Sequence, residues 1–550
     1  MKKKIKISLL AISLFLASIL SFSFTDNYFE MAKNLDIFTS LYKELNTYYV
    51  DETDPGKLMK KGIDAMLKSL DPYTTYIPES EIEDFRFMTT GQYGGIGALI
   101  TKRGDYVYIS EPYEGFPAQK AGLMAGDKIL EINGVSAKSK TTEEVSKVLK
   151  GQPNTTVSLL VERKNLDKAF QLSFEREKVT VKSVPYYGFV ADGIGYIKLR
   201  SFTRNCSKDI KDALAVLKEE KGMKGLILDL RSNPGGLLNE SVNISNIFIE
   251  KGEEIVSTKG KIKEWEKVYK ATQKAVDTQT PLVVLINQTS ASASEIVSGV
   301  VQDLDRGVVI GNRSFGKGLV QQSRKLSYNT QLKVTIAKYY TPSGRCIQAL
   351  DYSNRNEDGS VGKIADTLKT AFKTKNGRTV YDGGGIEPDI EVEKSPISNI
   401  AISLIQKRLI FDYATDYRHS NEKIAAVEDY QFSDFEDFKL FLSDKEYEYT
   451  TETEDVIQEL KEVAEEELYY ESISPEYDAL ITKLTANKKD DLNKFKSEII
   501  ELLTGEIASR YYYQKGRIIA NLQFDEDVQE AIKILSNQEQ YNSILVGALD

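Results

Sequence analysis

Between about Val184 and Val392 the chain alternates short apolar runs with stretches of helical periodicity, and no other feature narrows its fold as much. GIGYIKL, GLILDL, PLVVLIN and GVVIG are too apolar for strands with one wet face, so they read as buried strands. Between them SKDIKDALAVLKEE, LLNESVNISNIFI and SEIVSGVVQDLD repeat apolar residues every three or four positions, as helices packed on a sheet do. Such a β–α succession predicts an α/β domain.

The flanks have other textures. From about Asn27 to Met88 the apolar spacing is helical, with a turn at Asp71-Pro72-Tyr73. From Gly91 to about Glu175, GGIGALI, DYVYISEPY, DKILEINGV and TVSLLVER read as strands, and AQKAGL and TEEVSKVLK as short helices, which makes a small β domain. From about Ile397 onward charged helices dominate and no motif stands out, so the default there is a packing or partner-binding region. The expected divisions are 1–24, 25–88, 89–176, 177–395 and 396–550, in keeping with the several domains that 550 residues require.

The first division is an export signal or a membrane anchor. Lys2, Lys3, Lys4 and Lys6 precede an apolar run from Ile7 to Phe24, a charged n-region followed by an h-region. The run is nearly long enough to span a bilayer, so cleavage near Ser21–Ser23 and retention both fit. The net charge of −10 excludes a phosphate-neutralising surface and with it nucleic acid. Cys206 and Cys346 allow at most one disulfide and lack metal-ligand spacing; no metal or cofactor is expected. The one histidine is His419, in LIFDYATDYRHS. A hydrolase of this composition must use His419, a lysine, a carboxylate or metal-bound water as its general base.

PLVVLINQTSASASEIVSGVVQDLD offers a candidate nucleophile: a buried strand ends near Asn287, and a helix starts near Ser292–Glu295. A serine at such a turn lies near helix N–H groups suited to an oxyanion. Serines before helices are usually N-caps, and Ser290, Ser292 and Ser294 compete for that duller role. Further on, FGKG sets Lys317 between two glycines; this is not a phosphate-binding loop, because the glycine spacing and a following Ser/Thr are absent.

TSASASEI, FGKGLVQ, DLRSNPGG, KYYTPSGRCIQ and GGIEPDI, taken together, resemble the carboxy-terminal processing (tail-specific) proteases over about residues 35–395. The resemblance implies an α/β core of the Clp protease and crotonase kind. It also implies a serine protease in which Ser292 is the nucleophile, Lys317 the general base and Gln321 a third member orienting the lysine. A lysine serves as base only when neutral, so its site must depress a pKa near 10.4, and Ser–Lys pairs are a known variant of triad chemistry. Asp303 is eleven residues past Ser292, about 16 Å along a helix, and is at best a supporting group. Gln321 needs a bend at Gly318 to reach Lys317.

The oxyanion donors are then expected at the N–H of Ala293 and at Gly235 or Gly236; without the resemblance those glycines are simply a tight turn. The β domain resembles a PDZ module, in which Gly94, Gly95, Ile96 and Gly97 would aim N–H groups at a terminal carboxylate while the next strand pairs with the peptide. The resemblance thus implies a multidomain endopeptidase with a helical N-terminal segment, a PDZ domain, the α/β protease core and a helical C-terminal domain. It would be exported to the periplasm or cell envelope and bind protein substrates by their tails, with an adaptor or a second copy as possible partners of residues 396–550. Two other classes remain: a PDZ binding scaffold, latent or without cleavage, and a thioesterase- or crotonase-like hydrolase.

Overall fold

The computed structural model describes residues 28–220, 222–356, 359–393 and 396–548. The expected signal or anchor at 1–24 lies outside them; among the described residues no helix is long and apolar enough to cross a membrane. The chain forms two compact units. One comprises residues up to 76 with 323–327 and 331–334. It holds a helix over 28–48 and another at Pro55–Lys68, whose N-cap Asp54 accepts from the Lys57 N–H. Its Asp-Pro-Tyr turn is closed by the Asp71 carboxylate, which accepts from the Tyr73 and Thr74 amides at 2.8 and 2.7 Å.

The second unit, which carries all the other described residues, begins with the small β domain. Its strands are β1 (Gln92–Gly95), β2 (Ala98–Arg103), β3 (Tyr106–Pro112) and β4 (Lys128–Ile132). After helix α1 (Thr142–Leu149) come β5 (Thr156–Glu162), β6 (Phe170–Glu175) and β7 (Glu177–Thr180). The main sheet runs β2-β3-β4-β5-β6, so β2 is an edge strand, while β1 pairs separately with β7. Alternate residues Val107, Ile109, Val157, Leu159 and Val161 point inward and meet Val145 and Leu149 of α1 in one core. Thr141 and Glu144 start α1 with a reciprocal capping box.

The α/β core follows: β8 (Tyr186–Ala191), β9 (Ile194–Lys198), α2 (Cys206–Glu219), β10 (Gly225–Asp229), α3 (Leu238–Phe248), β11 (Glu254–Gly260), β12 (Leu282–Ile286), α4 (Ala293–Asp303) and β13 (Val308–Gly311). β14 (Leu319–Lys325) and β15 (Gln331–Tyr340), of which 323–325 and 331–334 are counted with the first unit, and β16 (Ile390–Glu391) complete it. The central sheet has the order β8-β9-β10-β12-β13-β16 and is parallel except for β8. β10, β12 and β13 are buried at every residue. Leu226, Leu228, Leu282 and Val284 face α2, α3 and α4 on one side.

On the other side Ile227, Val283, Leu285 and Ile310 face Val528, Ala531 and Ile534 of a C-terminal helix. The last part of the charged C-terminal region therefore closes the core instead of standing apart from it. β11, β14 and β15 belong to a second sheet that the apolar-run reading did not anticipate. The rest of the C-terminal region is helical, including α5 (Leu409–Ser420), α6 (Lys496–Leu522) and α7 (Glu526–Ser536), the helix that covers the sheet. Cys206 and Cys346 are free thiols, so the possible disulfide is absent.

Candidate active site

The loop after β12 sorts its three serines. Ser290 is fully buried; its Oγ donates to the Leu230 carbonyl and accepts from the Asn287 amide, both at 2.9 Å. Ser294 is fully buried too, and its Oγ donates to the Asn233 carbonyl at 2.9 Å. These two are loop fasteners. Ser292 is half-buried, with φ 55° and ψ −110°, a conformation a non-glycine residue holds only where its surroundings enforce it.

The enforcement comes from Glu295, which the sequence reading passed over. Its carboxylate is fully buried. Oε2 accepts from the Ser292 N–H at 2.7 Å and from the Lys317 N–H at 2.9 Å. Oε1 accepts from the Ser314 hydroxyl at 2.5 Å and the Gly316 N–H at 2.7 Å. One oxygen thus holds the backbones of Ser292 and Lys317, twenty-five residues apart in sequence. Burial pushes the Glu295 carboxyl above its ordinary range, opposed by these hydrogen bonds. The S-x-x-E spacing of a capping box was the available signal.

The glycines beside Lys317 are explained by close packing. Gly316 has φ +85°, and a Cβ there would stand 2.4 Å from the Ala349 Cβ. At Gly318 it would stand 2.9 Å from the Gln348 nitrogen, and the Gly318 N–H donates to Gln348 Oε1 at 2.8 Å. Ser314 Oγ also accepts from the Ile386 N–H at 2.7 Å. Lys317 itself is half-buried. The Gln321 amide donates to Thr335 Oγ1 on β15 at 3.2 Å. Asp303 is held by Arg345 at 2.7 Å and by the Ser343 amide at 3.0 Å, a fastening role at the far end of α4.

Gly235 lies against the serine loop: with φ +97°, its Cβ would meet the Ala291 oxygen at 2.6 Å and the Ala293 nitrogen at 2.9 Å. Its N–H donates to Asn233 Oδ1 at 2.9 Å. That commitment corrects the expectation of Gly235 as an oxyanion donor; its contribution is the absence of a side chain, and the neighbouring Gly236 is the remaining candidate. Ala293 opens α4, where amides have no intrahelical acceptor. Arg231, in the same loop, forms ion pairs with Asp229 (2.8 Å), Asp525 (2.7 Å) and Asp527 (2.6 Å), so α7 and its N-cap grip the glycine loop.

In the β domain, Gly94 and Gly95 lie in β1, opposite Lys178 and Glu177 of β7, which corrects their placement in an open loop. The Gly94 carbonyl turns away from β7 and accepts from the Gly151 N–H at 3.0 Å, and Ile96 and Gly97 form the turn into β2. Gly97 has φ +72° and packs so closely that a Cβ would stand 2.5 Å from that of Phe116. His419 is half-buried in α5. Burial, then Arg163, lowers its pKa, against the pull of Asp416 and Asp127. None of these groups belongs to the α/β core.

Comparisons with known proteins match three stretches of the chain. A family model described as peptidase family S41 matches residues 193–353, and a PDZ domain model matches 108–163. A model described as the C-terminal helical domain of a probable PDZ-protease matches 400–535. The chain is 38% identical over 330 residues to a carboxy-terminal-processing protease of Bartonella bacilliformis, covering 59% of this chain and 75% of that one. It is 38% identical over 317 residues to a probable CtpA-like serine protease of Staphylococcus aureus, covering 57% and 62% respectively. A solved photosystem II D1 C-terminal processing protease is 28% identical with a TM-score of 0.35, over 65% of this chain and 92% of that one. The chain belongs to the carboxy-terminal processing serine proteases of peptidase family S41, with a PDZ domain and a helical C-terminal domain.

Proposed function

We propose that this protein cleaves protein substrates near their C-termini, with Ser292 as nucleophile and Lys317 as general base, in the cell envelope to which its N-terminal segment directs it. The observation that carries the reading is the shared Glu295 oxygen, which keeps the two residues' backbones together at the mouth of α4. Neutral Lys317 takes the Ser292 hydroxyl proton as Oγ attacks the scissile carbonyl. The N–H groups of Ala293 and Gly236 receive the oxyanion, and the lysine ammonium returns its proton to the departing amine. Water, activated by the same lysine, then hydrolyses the acyl-enzyme. Gln321, whose amide donates to Thr335 Oγ1 on β15, is the third member that orients the lysine. The tail-binding reading rests on the free edge of β2, beside α1 and the Ile96–Gly97 turn, where an extended peptide can add as a strand.

The test compares wild type and Ser292→Ala on an unfolded model protein with an apolar tail and on one with a charged tail. Cleavage by wild type alone, faster on the apolar tail, is expected. Equal cleavage by both proteins would remove Ser292 as nucleophile. Absence of cleavage by wild type would favour the binding-scaffold reading.

A further inference from the structure

The PDZ domain rests on the helical C-terminal region through ion pairs at their border. Arg103 meets Asp412 at 2.7 Å, Lys164 meets Asp416 at 2.6 Å, and Glu111 meets Arg517 at 2.7 Å. Between the two lies a cavity of about 200 Å³, walled by Leu123, Met124 and Glu111 on one side and Arg418, Arg510 and Tyr513 on the other. Its walls do not include β2 or α1, so it is separate from the groove proposed for substrate tails.

Two of its three charged wall groups are already neutralised. Glu111 is paired with Arg517, and Arg510 with Glu506 at 2.9 Å. Arg418 is different. Its Nη1 donates to the carbonyls of Asn421 and Glu422, each at 3.3 Å, and its guanidinium stacks 4.6 Å from the Tyr511 ring centre. Its Nε is buried without an acceptor, and among the described residues no carboxylate pairs with it. A half-buried guanidinium held by neutral carbonyls and a ring, with no counter-charge, favours an anion. The opposite wall offers apolar surface. Tyr513 adds a backbone outlier, φ 53° and ψ −152°, that interrupts α6 at the cavity in a region otherwise left to glycine.

We propose that this cavity binds a small organic carboxylate, with Arg418 as the ionic contact and Leu123, Met124 and Tyr513 against its apolar part. One uncompensated cation suits a monoanion better than a phosphate. The volume lies below the roughly 300 Å³ at which drug-sized pockets begin, which limits the ligand to about the size of one amino acid or a short fatty acid. The carboxylate comes either from a free acid or from the last residue of a peptide. Because the walls belong to two domains, an occupant also bridges them.

The protein's single histidine reports on the site, since His419 lies on the cavity wall. The full chain, labelled with carbon-13 at the imidazole, is titrated with butyrate, with butyramide as a neutral shape control, and with N-acetyl-leucine. A longer acetylated peptide ending in leucine separates the two sources. The His419 resonance is expected to shift saturably with butyrate at millimolar concentration and not with butyramide, and its titration midpoint to rise as the anion joins Arg163, Arg418, Asp127 and Asp416 around the ring. Arg418→Gln is expected to weaken binding by about tenfold or more. Equal binding of the peptide and N-acetyl-leucine assigns the site to chain ends; binding of the free acids alone assigns it to small acids. The proposal fails if no carboxylate gives a saturable shift, if butyramide matches butyrate, or if Arg418→Gln binds as tightly as wild type. Should that variant not fold, the comparison of butyrate with butyramide on wild type decides.

Discussion

Glu295→Gln keeps the shape of the buried side chain and turns one of its oxygens into an NH2 group. At Oε2 both neighbours are amide donors, from Ser292 and Lys317. At Oε1 one neighbour is the Gly316 amide and the other is the Ser314 hydroxyl, which can turn and accept. The new NH2 therefore settles on the Oε1 side and leaves the Gly316 N–H without an acceptor. An orphaned buried donor costs about 1–3 kcal/mol, so a loss near 2 kcal/mol in urea unfolding is expected. A protonated Glu295 escapes this cost, because its OH oxygen donates to Ser314 and still accepts from Gly316. Burial raises the Glu295 pKa, and a raised carboxyl removes stability as pH rises from its ordinary value through its folded value. The amide has no such slope, so the gap between the two proteins narrows with rising pH. In catalysis, the Gly316 amide, now facing an NH2, moves away and carries the adjoining Lys317 backbone with it; a shift of about 1 Å there costs on the order of 100-fold, expected in kcat with little change in KM. A variant with wild-type kcat and an unchanged urea midpoint would refute the pinning role, and a stability gap that widens with pH would refute the account of the proton.

Two further substitutions test the frame around the site. Gly235→Ala places a methyl group 2.6 Å from the Ala291 oxygen at φ +97°. It is expected to cost about 2–4 kcal/mol in chemical unfolding and most of the cleavage rate, and a stable, fully active variant would contradict the close approach. Arg231→Gln removes the cation shared by Asp229, Asp525 and Asp527 and is expected to cost about 3–5 kcal/mol at neutral pH. Against the burial that would raise it, Arg231 and Lys198 hold the Asp229 carboxyl far below the usual range. That stability is present above the ordinary carboxylate pKa and fades as pH falls, so the cost of Arg231→Gln should shrink in acid; a cost independent of pH would count against the pairing.

Much of this architecture could be read from the chain because the relevant physics is local. The central strands announce themselves since both faces are apolar, and α1 and α4 are marked by their capping residues and spacing. β15 is harder to read: Gln331–Ile336 alternates polar and apolar residues, but Ala337 and Lys338 break the period and most of the strand is only half-covered. The placement of Gly94 and Gly95 in a strand depends on β7, more than eighty residues later, and a glycine run by itself gives no hint of that partner. The second face of the central sheet is covered by α7, whose apolar side looks in sequence like any amphipathic helix. Glu295 was legible as a capping residue, but its second and third partners at Gly316 and Lys317 come from a loop that only the fold brings near.

The dispersed motifs that identified the family prove to be parts of one contact network. FGKG touches the segment after KYYTPSGRC through Gly316 against Ala349 and Gly318 against Gln348. GGIEP meets the same loop where the Ile386 amide donates to Ser314. DLRSNPGG reaches TSASASEI through Asn233, whose carbonyl accepts from Ala291 and Ser294, and through Gly235. Glu295 joins the serine loop to the lysine loop. Gly235, Gly316, Gly318 and Gly385 are each crowded by a neighbour from another segment of the network, which is why the pieces are weak singly and specific in combination. Arg231 carries the network into the C-terminal region by way of Asp525 and Asp527, at the start of the helix that also seals the sheet. A chain ending before residue 525 would lose both the seal and the grip on the glycine loop, so the C-terminal region belongs to the folding unit of the protease as well as to its border with the PDZ domain.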